Sequence, residues 1–240
     1  AGRPKHPKLP QIISLPYKPS RAPYTRPGQF AGLLGMEHDP FYIYGQHENP
    51  LRFTAPSLTL SDGMDRHRLA ERKVFLEAAN KARRQFDHEA AMKHYTQQQQ
   101  KAFELLTNTA TAGAFDIGRE PLKVRERYGE HLNGMSLLMA RRLVEAGTRV
   151  VEVIWPKVAN SNNHSWDVHK GLPKRMKEQS APMLDRGLSG LFTDLDERGM
   201  LDDTMVLCVG EFGRSPQMGL STSGNNNSAD GRDHWPYCYT

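Results

Sequence analysis

Along this chain the apolar positions change spacing several times, and each change marks an expected element. Up to about residue 60 there is little periodicity, because proline and glycine interrupt the chain at Lys8-Leu9-Pro10, Lys18-Pro19 and Gly28 to Gly35. Such punctuation predicts a layer of loops. Two strands relieve it, one at Gln11-Ile12-Ile13-Ser14-Leu15 and a shorter one within Pro40-Phe41-Tyr42-Ile43-Tyr44. From Met64 to Ala146 the spacing becomes helical. Leu69, Phe75 and Leu76 mark one apolar face and Ala91, Tyr95, Ala102, Leu105 and Leu106 another, with charged residues between them, and Gln97 to Gln100 read as a solvated helix face. A loop and a helix start are expected around Ala114 to Pro121. A helix from His131 to Ala146 carries Leu132, Met135, Leu138, Met139, Leu143 and Val144, and Gly147 terminates it.

The last part, residues 149 to 240, has the clearest pattern. The run Arg149 to Trp155 reads as a strand, Pro173 to Arg198 as a helix kinked at Pro182, and Thr204-Met205-Val206-Leu207-Cys208-Val209 as a second buried strand. A strand, helix, strand order implies parallel pairing through a right-handed crossover. The expected class is therefore α/β: a predominantly parallel central sheet flanked by helices, forming one domain over 1–240. The segment after Pro216, with Gly219, Gly224 and Asn225-Asn226-Asn227, reads as an exposed loop.

Composition narrows the function classes. No apolar run approaches the roughly 20 residues of a membrane span. The formal charge of +5 is modest, and basic residues are mixed with acidic ones rather than gathered in an aromatic-studded stripe. Nucleic acid is therefore a poor fit, and a small anionic substrate a better one. The two cysteines, Cys208 and Cys238, make no disulfide framework or zinc motif and read as structural.

Candidate chemistry collects where the expected strands end, which is where open α/β sheets place their ligands. Gly210-Glu211-Phe212-Gly213-Arg214-Ser215-Pro216 follows the second strand, Trp166-Asp167-Val168-His169 follows the first, and Gly231-Arg232-Asp233-His234-Trp235-Pro236 lies beyond the loop. Asp167 and His169, two apart, point to one side of an extended backbone. An isolated pair of this kind is usually a turn cap beside a surface histidine. Placement at a strand end together with Glu211 favours metal binding instead, with His234 as a further ligand. Glu211 has a plainer alternative as a helix-start charge paired with Arg214. Arg214 and Arg232 are the candidate catalytic cations, placed to offset charge developing on an anionic substrate. His164 is more readily a loop residue.

These stretches carry a resemblance. Leu188 to Val206, running into Gly210 to Pro216, then Gly231 to Pro236, with Trp166 to Gly171, Ala114-Phe115-Asp116, Arg127-Tyr128-Gly129 and Ala140 to Gly147, closely resemble the bacterial family catalogued as domain of unknown function 1501. That family is similar to the alkaline phosphatase and sulfatase superfamily. The resemblance implies an alkaline-phosphatase-like sheet, a divalent metal ion such as zinc, and hydrolysis of phosphate or sulfate esters on an anionic small-molecule or glycan substrate. A non-catalytic binding or cell-envelope protein that keeps the fold is the rival. Glu211 would stand for the superfamily's metal-binding aspartate, while Phe212 replaces the histidine that follows it and puts a second metal position in doubt. The nucleophile would come from a segment near the amino end that nothing before Gly32 resembles, so an internal fragment is expected. Export to the periplasm is the compartment the family suggests.

Overall fold

The computed structural model describes residues 9–18, 28–35, 38–55, 65–84, 113–155, 166–210, 212–222, 224, 227–235 and 237–238. The chain divides into two compact units. The first comprises 1–44, 53–116 and 142–152, and the second 45–52, 117–141 and 153–240.

The first unit contains the sheet. Strand β1 (Ile12–Leu15) is central, flanked by β2 (Phe41–Tyr42) and β5 (Val150–Val153) in the order β2-β1-β5, and the sheet is parallel. Ile13 lies opposite Phe41 and Ser14 opposite Tyr42. A central strand covered on both faces cannot alternate apolar and polar side chains freely. Ile13, Ser14 and Leu15 are all fully buried. The single hydroxyl among them is satisfied, since Ser14 Oγ donates to Glu152 Oε2 at 2.7 Å. A two-stranded ribbon joins β3 (Tyr44–Gly45) to β4 (Phe53–Thr54). Helix α1 (Arg66–Arg84) begins where Asp65 Oδ1 accepts from the Arg68 backbone N–H at 2.8 Å, a side-chain cap. The expected apolar face of α1 is only partly used: Leu69 is buried and Leu76 half-buried, but Phe75 is 77% exposed. The expected helical continuation through Ala91, Tyr95, Gln97 to Gln100 and Leu106 lies outside the described residues.

The second unit is helical. Helix α2 (Leu122–Tyr128) starts directly after Pro121, and α3 (Leu132–Glu145) matches its expected span to within a residue at each end. The helix expected from Pro173 to Arg198 is one continuous run with a defect. It comprises α4 (Leu172–Arg175), a π-helical turn (Met176–Ser180) and α5 (Ala181–Glu197). Pro182 accounts for the defect, because its ring has no N–H to bond back and clashes with the carbonyl four residues before it. Widening the preceding turn relieves both problems. Gly199, at φ 62°, closes the helix. Gly190 lets α5 approach α2 closely, for a Cβ there would stand 3.1 Å from the Arg127 carbonyl oxygen.

The core of this unit holds Ile117, Tyr128, Met135, Leu138, Met139 and Leu195, all fully buried, around a buried ion cluster. Arg141 places Nε 2.7 Å from Asp194 Oδ2 and Nη2 2.9 Å from Glu120 Oε1. Tyr128 Oη donates to Asp194 Oδ2 at 2.9 Å, and Arg198 Nε to Asp194 Oδ1 at 2.8 Å. Burial works against the charge of Arg141, but the Asp194 and Glu120 carboxylates outweigh it and raise its pKa. For Asp194, burial again opposes ionisation and is overcome by Arg198, Arg141 and Tyr128, so its pKa is lowered.

The expected second strand is not formed. Residues 204–210 adopt no strand pairing, and Met205, Leu207 and Val209 are 84%, 75% and 72% exposed. An apolar run becomes a buried strand only where another strand edge accepts its backbone N–H and C=O groups. Pattern alone cannot supply that neighbour. Cys208 is consequently exposed and unbonded to another cysteine, as is Cys238, in contrast to the structural role expected of both.

Candidate metal centre

Three chain segments build the site, all in the second unit. The first is Asp167 to His169. Val168 is buried, with 1% exposure, and its N–H bonds back to the Trp166 carbonyl at 3.1 Å in a tight turn centred on Asp167, while His169 Nε2 comes to 2.8 Å from Asp167 Oδ1. The second and third segments pair with each other. Arg214 and His234 are opposed in an antiparallel bridge, flanked by Ser215 N–H to Asp233 O at 2.9 Å and Trp235 N–H to Gly213 O at 3.1 Å. Directly opposed residues project to the same face. Arg214 and His234 therefore arrive at Asp167 side by side.

Residues 228–232 lie along the first segment. Ser228 N–H donates to His169 O at 3.0 Å, Arg232 N–H to Val168 O at 3.4 Å, and Gly171 N–H to Asp230 Oδ1 at 3.2 Å. Gly231 is what permits this approach, because a Cβ at that position would overlap the His169 carbonyl.

Asp167 Oδ1 is the hub. Arg214 Nη2 lies 2.6 Å from it, His169 Nε2 2.8 Å and His234 Nε2 3.0 Å. Burial raises the pKa of Asp167, but hydrogen bonds from His234 and Arg214 and the Arg214 charge outweigh this and hold it down to about 2. His234 and Arg214 make well-formed hydrogen bonds to this oxygen. The contact from His169 is different, for its Nε2 is buried and makes no hydrogen bond. The imidazole rings of His169 and His234 stand 5.1 Å apart, and Phe212 meets His234 edge-on at 4.9 Å.

Asp167, His169 and His234 each offer one ligand atom, and the three atoms lie within 4.8 Å of one another. Metal–ligand bonds of about 2.0–2.1 Å at tetrahedral angles separate donors by about 3.3 Å. Moving the two imidazole nitrogens outward from Asp167 by a few tenths of an ångström would give that spacing. Two imidazoles and a carboxylate suit zinc or another divalent first-row ion. The donor set fits such an ion.

The sequence-predicted residues fall into three groups. Asp167, His169 and His234, far apart in sequence, are brought together. Arg214 is also present, though as the ion-pair partner of Asp167. Arg232 is turned away from this cluster, donating from Nη1 to the Ser215 carbonyl at 3.2 Å. Glu211 and His164 lie outside the described residues. Two further residues support the cluster. Asp233, fully buried, accepts His234 N–H at 2.7 Å and Thr222 N–H at 2.8 Å, with its Oδ1 3.6 Å from His169 Nδ1. Asn227, in the stretch expected to be a plain exposed loop, has Oδ1 2.7 Å from His169 Nδ1. No local pattern marks Asn227, since its role depends on a loop returning 58 residues later in the chain.

With this geometry in hand, comparison with known families is informative. The model of the family described as protein of unknown function (DUF1501) matches residues 2–240. The chain belongs to that family. No match was found among curated proteins or among solved structures. As a member of this family, the chain has the α/β class expected of it, with a three-stranded parallel sheet, and none of its described helices is long and apolar enough to cross a membrane.

Proposed function

We propose that this chain carries the metal-binding part of a divalent-metal-dependent hydrolase of phosphate or sulfate esters. The supporting observation is the convergence of Asp167, His169 and His234 on one point, with His169 Nε2 buried against a carboxylate oxygen and making no hydrogen bond. The 2.8 Å contact between these two atoms is not aligned as a hydrogen bond, and a cation held there would engage both.

A divalent ion held there contributes Lewis acidity toward an ester oxygen. The chain's residues do the rest. Asp167 supplies the negative charge that retains the ion, and the two imidazoles complete a neutral nitrogen set. Phe212 and Val168 form apolar surroundings that lower the local dielectric and strengthen each charge interaction. Arg214, with its guanidinium beside Asp167, is the cation nearest to an anionic oxygen entering the site. Likeness to the alkaline phosphatase and sulfatase superfamily, export, and an anionic small-molecule or glycan ester as substrate all belong to this proposal. In the same proposal, Glu211 would add a fourth ligand.

One observation favours a binding protein without turnover. Arg214 is engaged by Asp167 and Arg232 by the Ser215 carbonyl, so each cation already has a partner within the protein. The test is metal content together with turnover. After chelation and reloading with zinc or manganese, the full-length protein, with its nucleophile segment, is expected to retain about one ion per chain and to hydrolyse aryl phosphate or aryl sulfate esters, and its Asp167→Asn variant to lose both, whereas residues 1–240 alone are expected to bind the ion without turnover. A wild type that retains no divalent ion overturns the metal reading. Stable retention with no turnover of either ester class by the full-length protein leaves the binding protein.

A further inference from the structure

We infer that Asn227 is a positioning residue that fixes the tautomer of His169, so that Nε2 presents its lone pair to the metal centre. This rests on the metal reading above and goes beyond it, because it assigns a role to a loop residue that is not itself a ligand.

The carboxamide of Asn227 has one end that donates and one that accepts. Its Nδ2 lies 2.8 Å from the Leu220 carbonyl oxygen, which can only accept. The donating end is therefore committed to Leu220, and Oδ1 is the atom 2.7 Å from His169 Nδ1. An amide oxygen cannot donate, so Nδ1 must carry the hydrogen. In the neutral ring the hydrogen on Nδ1 leaves Nε2 bare. Nε2 is the nitrogen 2.8 Å from Asp167 Oδ1 that makes no hydrogen bond. In that neutral form two lone pairs would face each other, and a cation held by Asp167 and His169 would accept both. Orientation of a ligating histidine through its other ring nitrogen is how metal centres set ligand basicity and ring angle.

The loop geometry serves the same end. Ser228, next in sequence, donates its N–H to the His169 carbonyl at 3.0 Å, so backbone and ring of His169 are held by consecutive residues. Asp233 Oδ1, at 3.6 Å from Nδ1, lies on the same side and favours the same tautomer.

The experiment uses the full chain carrying 15N-labelled histidine. Side-chain nitrogen NMR of the metal-free protein reads the tautomer, and zinc or cobalt titration reads affinity separately. Wild type is expected to show His169 as the Nδ1–H form. Asn227→Leu, which keeps the shape and removes both polar ends, should populate both tautomers and bind the ion about 10- to 100-fold more weakly. Asn227→Asp, which keeps an acceptor for Nδ1–H, should retain the tautomer and most of the affinity. A wild-type His169 in the Nε2–H form overturns the inference, as does an Asn227→Leu protein with unchanged tautomer. Should wild type bind neither zinc nor cobalt, the metal reading falls, while the NMR result still decides whether Asn227 sets the ring.

Discussion

Replacing Arg141 by methionine tests a fully buried charge. The side chains of Arg141, Glu120 and Asp194 are 0%, 6% and 4% exposed, so the change removes a cation between two desolvated carboxylates. Methionine is shorter but apolar, flexible and of comparable volume, which limits the cavity contribution. What remains is electrostatic. Breaking a buried pair from one side costs about 3–5 kcal/mol, because the surviving charge has no water to turn to. The structure places this case near the lower bound. Asp194 keeps the guanidinium of Arg198 at 2.8 Å, while Glu120 keeps the same residue only at 3.7 Å. The expected loss is therefore about 3 kcal/mol, a fall on the order of 10 °C in Tm. Tryptophan fluorescence is a suitable readout, since Trp155, Trp166 and Trp235 all belong to the second unit, as do Arg141, Glu120 and Asp194. Neutralising the stranded partner as well, in Arg141→Met with Glu120→Gln, should recover part of the loss, so the two changes should not add. A loss below about 1 kcal/mol for Arg141→Met, the range of an exposed ion pair, would refute a desolvated cluster.

Three other outcomes follow from the same structure. Asp194 has a folded-state pKa below the ordinary 3.8, so its contribution to stability is fully present above that value and is lost as pH falls below it; acid titration of unfolding should show less loss in Asp194→Asn, and an identical acid slope would contradict the pairing. Gly231→Ala forces a methyl group onto the His169 carbonyl, and zinc affinity should fall about tenfold or more while circular dichroism is retained; unchanged affinity would mean that the 228–232 segment does not hold His169. Leu207→Asp lies on an exposed run and should change stability by under about 0.5 kcal/mol; a loss of several kcal/mol in chemical denaturation would restore the buried strand that the sequence pattern suggested.

Much of the fold is legible in the chain itself, wherever a local rule suffices. Helix α3 is predicted almost residue for residue because its apolar spacing is long and Gly147 stops it. The same is true of the Pro182 defect, which depends only on covalent structure. The run Thr204–Val209 shows where such rules end, since its β-branched and apolar composition is that of a buried strand, yet residues 204–210 have no strand pairing. Strand formation is a property of two segments, and composition describes one. The candidate metal ligands divide along the same line. Asp167 and His169 are suggested by their spacing only in combination with their place after a strand and with Glu211. His234 is suggested by its acidic and aromatic neighbours, but its arrival beside Asp167 depends on its bridge with Arg214. Asn227 is invisible in sequence because a carboxamide in a polar loop carries no periodicity. Its identity as a hydrogen-bond acceptor for His169 is decided by the Leu220 carbonyl, which takes the amide's donating end and leaves its oxygen facing the ring. Local sequence thus determined which residue types could serve a candidate metal site, and tertiary structure decided which nitrogen of His169 meets Asn227 and which faces Asp167, because hydrogen-bond partners are fixed only when both segments are in place.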